Sequence, residues 1–318
     1  MGLLKVSGSP HVQSRETTKS IMWNVVIALV PALLVGIYFF GFRALALTLV
    51  SVASCILFEW IIQKFLIKGQ QTISDGSAVI TGMLLAFNLP SDIPFYLVII
   101  GALVAIGIGK MTFGGLGKDP FNPALVGRVF LFLSFPTEVA KSDWPTPQPL
   151  FGSKIADALS GPTPLAQIGA NNQAGLNNLD MFLGSTGGSF GEVAAIAIIL
   201  GGIYLLLKKI ITWHIPVAFL ASAGIFAWIL NLCGLTVNPI YHLLAGGMML
   251  GAVFMATDMV TSPISKKGQL IFGAGCGLLT ILFRCFGPMP EGVSFAILIM
   301  NALTPLINKV CKPKRFGY

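Results

Sequence analysis

Ile21-Met22-Trp23-Asn24-Val25-Val26-Ile27-Ala28-Leu29-Val30-Pro31-Ala32-Leu33-Leu34-Val35-Gly36-Ile37-Tyr38-Phe39-Phe40-Gly41 contains no charged residue. At about 1.5 Å of rise per residue, a helix of this length matches a hydrocarbon core about 30 Å thick. Similar runs follow at 42–63, 78–90, 94–109, 121–136, 190–207, 215–233, 241–257, 269–286 and 293–310. The whole chain of 318 residues agrees, with 55% hydrophobic residues, 10% charged and a mean hydropathy of +0.83. Soluble domains carry about 25% charged residues. The period-two alternation of an outer-membrane barrel is absent, so the expected fold is an all-α integral membrane protein with ten transmembrane helices. The opening run is longer than the core of a secretory signal and many spans follow it, so no cleavable leader is expected.

Two spans carry clear boundary chemistry. The third begins after Ser74-Asp75-Gly76-Ser77, a helix-start pattern, and stops at Pro90. A helix that ends inside a membrane needs protein or a cavity to receive its freed backbone groups. The fifth opens at Asn122-Pro123, with asparagine as N-cap and proline in the first turn. Cytoplasmic loops are enriched in Lys and Arg, which tests the count. With the N-terminus inside, fifteen basic residues fall on the cytoplasmic side and four on the other (Arg43, Lys141, Lys154, Arg284), with Arg128 inside a span.

The resulting division is a cytoplasmic arm at 1–20, a first five-helix repeat at 21–136, an extracytoplasmic loop at 137–189, and a second repeat at 190–318 ending in the cytoplasm. Five helices are an odd number, so the second repeat is inverted relative to the first. Gly82-Met83-Leu84-Leu85 against Gly247-Met248-Met249-Leu250, and Gly101-Ala102 against Gly273-Ala274, carry this internal similarity. Inverted repeats with short, broken helices line sites near the midplane of transporters.

The net charge of +8 sits in loops between apolar runs, which reads as topology and lipid-bilayer placement; no nucleic-acid partner is expected. The five cysteines show no CxxC or Cys/His spacing, so no metal centre is expected from this chain. Glu59, Arg128, His242 and Asp258 lie in or near spans, where an ionisable side chain is costly and therefore a functional candidate. Glu59 and Asp258 read equally well as interfacial residues, and His242 as a satisfied one. Arg128 suits either an anionic or carbonyl group of a ligand or a carboxylate partner. The thirty-six glycines let helices approach closely, and they also leave room for a planar ring.

The long polar loop contains Asp157-Ala158-Leu159-Ser160-Gly161-Pro162-Thr163-Pro164-Leu165, whose residues alone read as a turn. The segment resembles the flavinylation motif of the membrane subunits in the Rnf and sodium-pumping quinone reductase families. There an aspartate precedes, by six residues, the threonine of a Ser-Gly-Ala-Thr-like tetrapeptide that carries FMN through a phosphoester bond. Asp157, Ser160, Gly161 and Thr163 fit that pattern, while Pro162 stands where alanine is usual. Ser9-Pro10-His11, Asp75-Gly76-Ser77-Ala78, Gly114-Gly115-Leu116-Gly117, Phe121-Asn122-Pro123-Ala124, Trp213-His214-Ile215-Pro216, Thr257-Asp258 and Glu291-Gly292 extend the resemblance along essentially the whole chain. The short N-terminal arm favours the Rnf branch.

The resemblance implies covalent FMN on Thr163, a non-covalent riboflavin deeper in the helices with Asn122 and Arg128 as candidate contacts, and a flavin transferase for maturation. It also implies partner Rnf subunits (A, B, C, E and G) carrying iron–sulfur clusters and further flavins. The expected activity is electron transfer within an ion-translocating ferredoxin:NAD+ oxidoreductase complex, catalytic only as an assembly, in a bacterial inner membrane. Thr186, in Gly184-Ser185-Thr186-Gly187-Gly188, is a rival acceptor. The equivalent component of a sodium-pumping NADH:quinone reductase and a plain solute channel or transporter remain as alternatives.

Overall fold

The computed structural model describes residues 17–68, 71–139, 143–145, 160–169, 178–184, 186–191, 195–287 and 291–312. The first helix, α1 (Thr18–Ile61), starts at Thr17, whose side chain accepts from the Ser20 N–H. Its 44 residues would make a rod of about 66 Å, twice the thickness of a hydrocarbon core. The backbone leaves the helical region at Gly41 (φ 71°, ψ −166°), which divides α1 at the boundary expected between the first two spans. A Cβ there would meet open space, so the requirement for glycine is conformational. Arg43 pins the bend by donating to the Ser91 and Asp92 carbonyls at 2.8 and 2.9 Å.

Helix α2 (Ser77–Phe87) is short, as the proline predicts, and lies against α1. The Ser51 hydroxyl donates to the Gly82 carbonyl at 2.8 Å, and a Cβ on Gly82 would stand 2.6 Å from the Val52 Cα. At the far end of α2 the Asn88 side chain turns back onto the Leu84 carbonyl (2.6 Å), covering a group the broken helix frees. Helix α3 (Phe95–Val104) runs on through a π turn to Lys110, and α4 (Pro123–Ser134) opens with Asn122 accepting from Ala124 N–H. A one-turn α5 (Pro136–Val139) follows. Strands β1 (Asp143–Pro145) and β2 (Ser160–Pro162) pair antiparallel, a small departure from an all-helical chain, and lead into α6 (Pro164–Gly169) and α7 (Asn178–Leu183).

In the second half, α8 (Ala195–Leu207) packs on α1, and α9 (His214–Leu232) packs along α12 (Lys266–Phe286). Gly273 and Gly277 bring α12 against the backbone of α9 at Ile215 and Phe219. The run 241–257, expected as one span, is broken. Helix α10 (Pro239–Leu244) stops, the chain turns through Ala245 and Gly246 (φ 61°), and α11 (Met248–Leu250) continues as a π turn to Met255. Two adjacent glycines with little helical preference explain the break. Helix α13 (Val293–Val310) completes the fold.

Among the described residues five helices are long and apolar enough to cross a membrane: Thr18–Ile67, Phe95–Phe113, His214–Leu232, Lys266–Phe286 and Val293–Val310. Ser77–Phe87, Pro123–Ser134 and Ala195–Leu207 are shorter apolar helices. Large apolar side chains such as Leu34, Phe42, Leu57 and Leu207 point outward, as suits a surface solvated by lipid. Two cations expected as loop charges are buried instead. Lys110 ends the π turn of α3 and Arg284 lies in the last turn of α12, at 1% and 4% exposure. Each has interior hydrogen-bond acceptors, so neither acts as a topology signal at a membrane surface.

Candidate functional site

Thr163 stands between β2 and α6, where it caps the helix. Its Oγ1 accepts from the Ala166 N–H at 3.1 Å and its carbonyl from the Gln167 N–H at 3.0 Å, with Pro164 as the first helical residue. This fixes a half-buried hydroxyl on the rim of a cleft of about 410 Å³, partly open. Four stretches of chain meet there: Thr163-Pro164-Leu165, Thr186-Gly187-Gly188-Ser189, Leu244-Ala245-Gly246, and Glu291. The two candidate acceptor threonines, 163 and 186, therefore face one cleft. Ser160 and Gly161 form β2, opposite Pro145 and Trp144, and deliver Thr163 to that rim. Asp157 lies outside the described residues.

Arg128, buried in α4, donates to the Asn88 side-chain oxygen and forms a 2.6 Å ion pair with Glu291. Arg128 therefore has a carboxylate partner, and through Glu291 it borders the Thr163 cleft. Asn122 is elsewhere. Besides capping α4, it donates to the Met255 carbonyl at 3.2 Å and lines a second cleft. The pair grouped as contacts of one ligand is thus divided between two sites, because α4 carries Asn122 at its start and Arg128 further into the helix.

The second cleft encloses about 750 Å³, partly open to solvent. Its walls are mostly apolar, from the starts of α1, α2 and α4 and the ends of α8 and the Gly251–Met255 turn. The polar groups are Ser77, Thr81, Lys110, Asp119, Asn122, Thr257 and Asp258. Lys110 donates to Glu59 at 2.7 Å and to Ser77 at 2.6 Å. Glu59, fully buried, also accepts from Gln63 (3.1 Å) and Thr72 (3.3 Å), so this buried charge is paired and hydrogen-bonded rather than interfacial. Asp119, on the loop between α3 and α4, is 5% exposed, and its Oδ1 has no partner among the described residues. Burial pushes its carboxyl up to about 7; Lys110 opposes that, while Asp258 and Glu59 add to it. Asp258, beyond the Gly251–Met255 turn, is also shifted up by burial, against hydrogen bonds from Val260 and Thr261.

Glu291, Lys110, Asp119 and Arg284 were not singled out as site residues. Lys110 carried a signal, since a lysine directly after an apolar run can end inside. Glu291 carried a weaker one, as a carboxylate just before the last span. Arg284 was counted with the outer-side charges, and nothing in the sequence set Asp119 apart.

A comparison with protein families matches residues 5–317 to the NQR2, RnfD, RnfE family. The chain is 44% identical over 317 residues to the D subunit of the Na(+)-translocating ferredoxin:NAD(+) oxidoreductase complex of Acetobacterium woodii, covering 99% of this chain and 95% of the relative. It is 43% identical over 326 residues to the D subunit of the proton-translocating ferredoxin:NAD(+) oxidoreductase complex of Clostridium ljungdahlii, with 99% and 96% covered. With the D subunit of the ion-translocating oxidoreductase complex of Escherichia coli O127:H6 the identity is 34%, covering 99% of each. By profile and by near full-length identity, the chain belongs to the NQR2, RnfD, RnfE family.

Proposed function

We propose that this chain is the flavin-carrying electron-transfer component, in the position of the D subunit, of a membrane-bound ion-translocating ferredoxin:NAD+ oxidoreductase complex. The assembly-level part rests on likeness over 99% of the chain to proteins named as that component. The chain works with the other Rnf subunits (A, B, C, E and G) and is not an enzyme alone. Relatives at 44% and 43% identity are named for sodium and for protons, so overall likeness does not select the coupling ion.

The observation that carries the flavin reading is the Thr163 hydroxyl, held on the rim of a cleft. The bond from Ala166 uses one lone pair of Oγ1 and leaves the hydroxyl proton and the second lone pair for chemistry. The residues present fit FMN joined to Thr163 by a phosphoester bond. FMN bound there supplies one- and two-electron redox chemistry. Thr163 would anchor the ester, with Glu291, paired to Arg128, and the 186–189 stretch lining the same cleft.

The Asp119 cleft suits a non-covalent riboflavin by its mixture of apolar wall and hydrogen-bonding groups. Helix α2 runs from this cleft at Ser77 to Asn88, which Arg128 ties to Glu291 on the other. Its 11 residues span about 17 Å.

The ten-helix inverted repeat is part of the same proposal, and the buried cations support it. Lys110 follows Gly101 by nine residues and reaches Ser77, five residues before Gly82. Arg284 follows Gly273 by eleven and reaches the carbonyl of His242, five residues before Gly247. Each half thus ends its fourth helix with a buried cation held at the start of its third. In this reading the Thr163 cleft faces the outer side of a bacterial inner membrane, and the Asp119 cleft and both termini face the cytoplasm.

In-gel fluorescence of the denatured protein, co-expressed with a flavin transferase, tests the attachment. Fluorescence is expected to vanish in Thr163→Ala and to persist in Thr186→Ala. Loss only in Thr186→Ala moves the anchor across the cleft. A dark wild type beside a fluorescent control removes the redox reading in favour of a solute pathway.

A further inference from the structure

Helix α13 carries a polar face that neither cleft uses as a wall. Ser294, Asn301, Thr304 and Asn308 follow one another at spacings that place all four on one side of a helix. Ser294, Asn301 and Thr304 are buried, while Ile299, Leu303 and Leu306 point outward. The polar side shares its direction with Val293 and Ile297, which pack on the π turn after α11. A Cβ on Gly251 would stand 2.5 Å from a Val293 methyl and 3.4 Å from the Ile297 Cδ1. The polar groups are therefore turned into the protein, although α13 is apolar and long enough to cross a membrane.

One end of this face is tied to the second cleft. The Thr304 hydroxyl is aimed at the carbonyls of Thr261 (3.0 Å) and Met300 (3.1 Å). The Thr261 hydroxyl in turn donates to Asp258 Oδ2 at 3.3 Å, and Asp258 lines the cleft. Asn308 Oδ1 accepts from the Ile264 N–H at 3.2 Å. Asn301, one turn deeper than Thr304, is different. It is 1% exposed, and neither its Oδ1 nor its Nδ2 has a partner among the described residues. A bare amide inside a membrane span is costly, because lipid offers no replacement for its hydrogen bonds. A cation would satisfy the oxygen and leave the NH2 group bare. Water donates to the one and accepts from the other. Beyond Asn301 the face is interrupted by Ile297, whose apolar side chain has nothing to offer water.

We propose that Asn301 binds water, and that the hydrated face of α13 is a branch of the second cleft, ending at Ile297, through which a small monovalent cation enters the membrane interior. The cation part rests on the reading of the chain as a component of an ion-translocating assembly; the water part does not. On this path the oxygens of Asp258, Thr261 and Thr304 come first and the Asn301 oxygen last, each replacing part of the hydration shell that the cation sheds.

The water is tested on the purified full-length protein by brief X-ray radiolysis, which turns bound water into hydroxyl radicals that oxidise adjacent side chains. Met300, next to Asn301, is 6% exposed, and Met83 on α2, at 4%, is the dry reference. Mass spectrometry should find Met300 oxidised at least threefold faster than Met83 in the wild type, and the difference should vanish in Asn301→Leu. Equal rates in the wild type overturn the proposal, whatever the variant does. The cation is tested with the complete complex in sealed vesicles, with sodium-sensitive and pH-sensitive dyes reading uptake driven by reduced ferredoxin and NAD+. Asn301→Leu should slow uptake at least threefold, and Asn301→Ser, which keeps a polar group, should slow it less. The thermal midpoint of Asn301→Leu should not fall below that of the wild type, which separates a blocked path from a damaged fold. Unchanged uptake in a folded Asn301→Leu overturns the path. Wild-type vesicles that move neither ion remove the parent reading and the cation part with it, and the radiolysis result still decides the water.

Discussion

Asp119 combines three features at one residue: burial on a cleft wall, an oxygen without a partner among the described residues, and a carboxyl pushed up to about 7. Its folded value lies above the 3.8 of an ordinary aspartate, so between these values the folded protein keeps a proton that the unfolded chain releases. Stability therefore falls as pH rises through that window. Asp119→Asn removes the titration, and its thermal midpoint in detergent should exceed the wild-type value above neutral pH. The two midpoints should converge below the carboxylate range; equal midpoints throughout would mean that Asp119 stays ionised at no cost. For single residues the sequence was informative about Thr163, six residues from Asp157 and resembling a known motif, and about the Asn122 cap. It was silent on partners. Arg128 and Glu291 are 163 positions apart and Lys110 and Glu59 are 51 apart, and no local pattern links such residues.

Among the helices, chain order correctly announced the break at Gly41, the stop of α2 before Pro90 and the start of α4 at Asn122-Pro123. Those features are local, each set by one residue's backbone limits or capping group. The break within 241–257 was missed because apolar composition masks a glycine turn. Glycine contacts between helices depend on both surfaces. A Cβ on Gly82 would press against the Val52 backbone at 2.6 and 2.9 Å, and backbone cannot rotate away. Gly82→Ala should cost about 1–3 kcal/mol, read as a lower midpoint in thermal unfolding. Gly107→Ala is the control, since its Cβ would meet only the Ile62 Cδ1 at 3.7 Å. That variant should stay within about 0.5 kcal/mol of wild type. Comparable losses in both would point to a general effect of glycine replacement rather than to the α1–α2 contact.

For the assembled chain, the inverted arrangement makes a prediction about sides. In a variant with the five native cysteines replaced, Thr186→Cys should react with a membrane-impermeant thiol reagent in intact cells. Lys267→Cys, exposed at the start of α12, should react only once the membrane is opened. Reaction of both from one side would remove the inverted topology and the opposed clefts with it. Residue order alone was enough to establish a helical membrane protein of the NQR2, RnfD, RnfE family, the limits of most of its apolar runs, and the threonine that resembles an acceptor. These properties are set by composition, by local backbone chemistry and by resemblance along the chain. It took the packed fold to show that Thr163 and Thr186 share a cleft, that Asn122 lines the other while Arg128 pairs with Glu291, and that Lys110 and Arg284 are interior charges. Such facts depend on which distant segments exclude water from one another, and burial of that kind leaves no pattern in neighbouring residues.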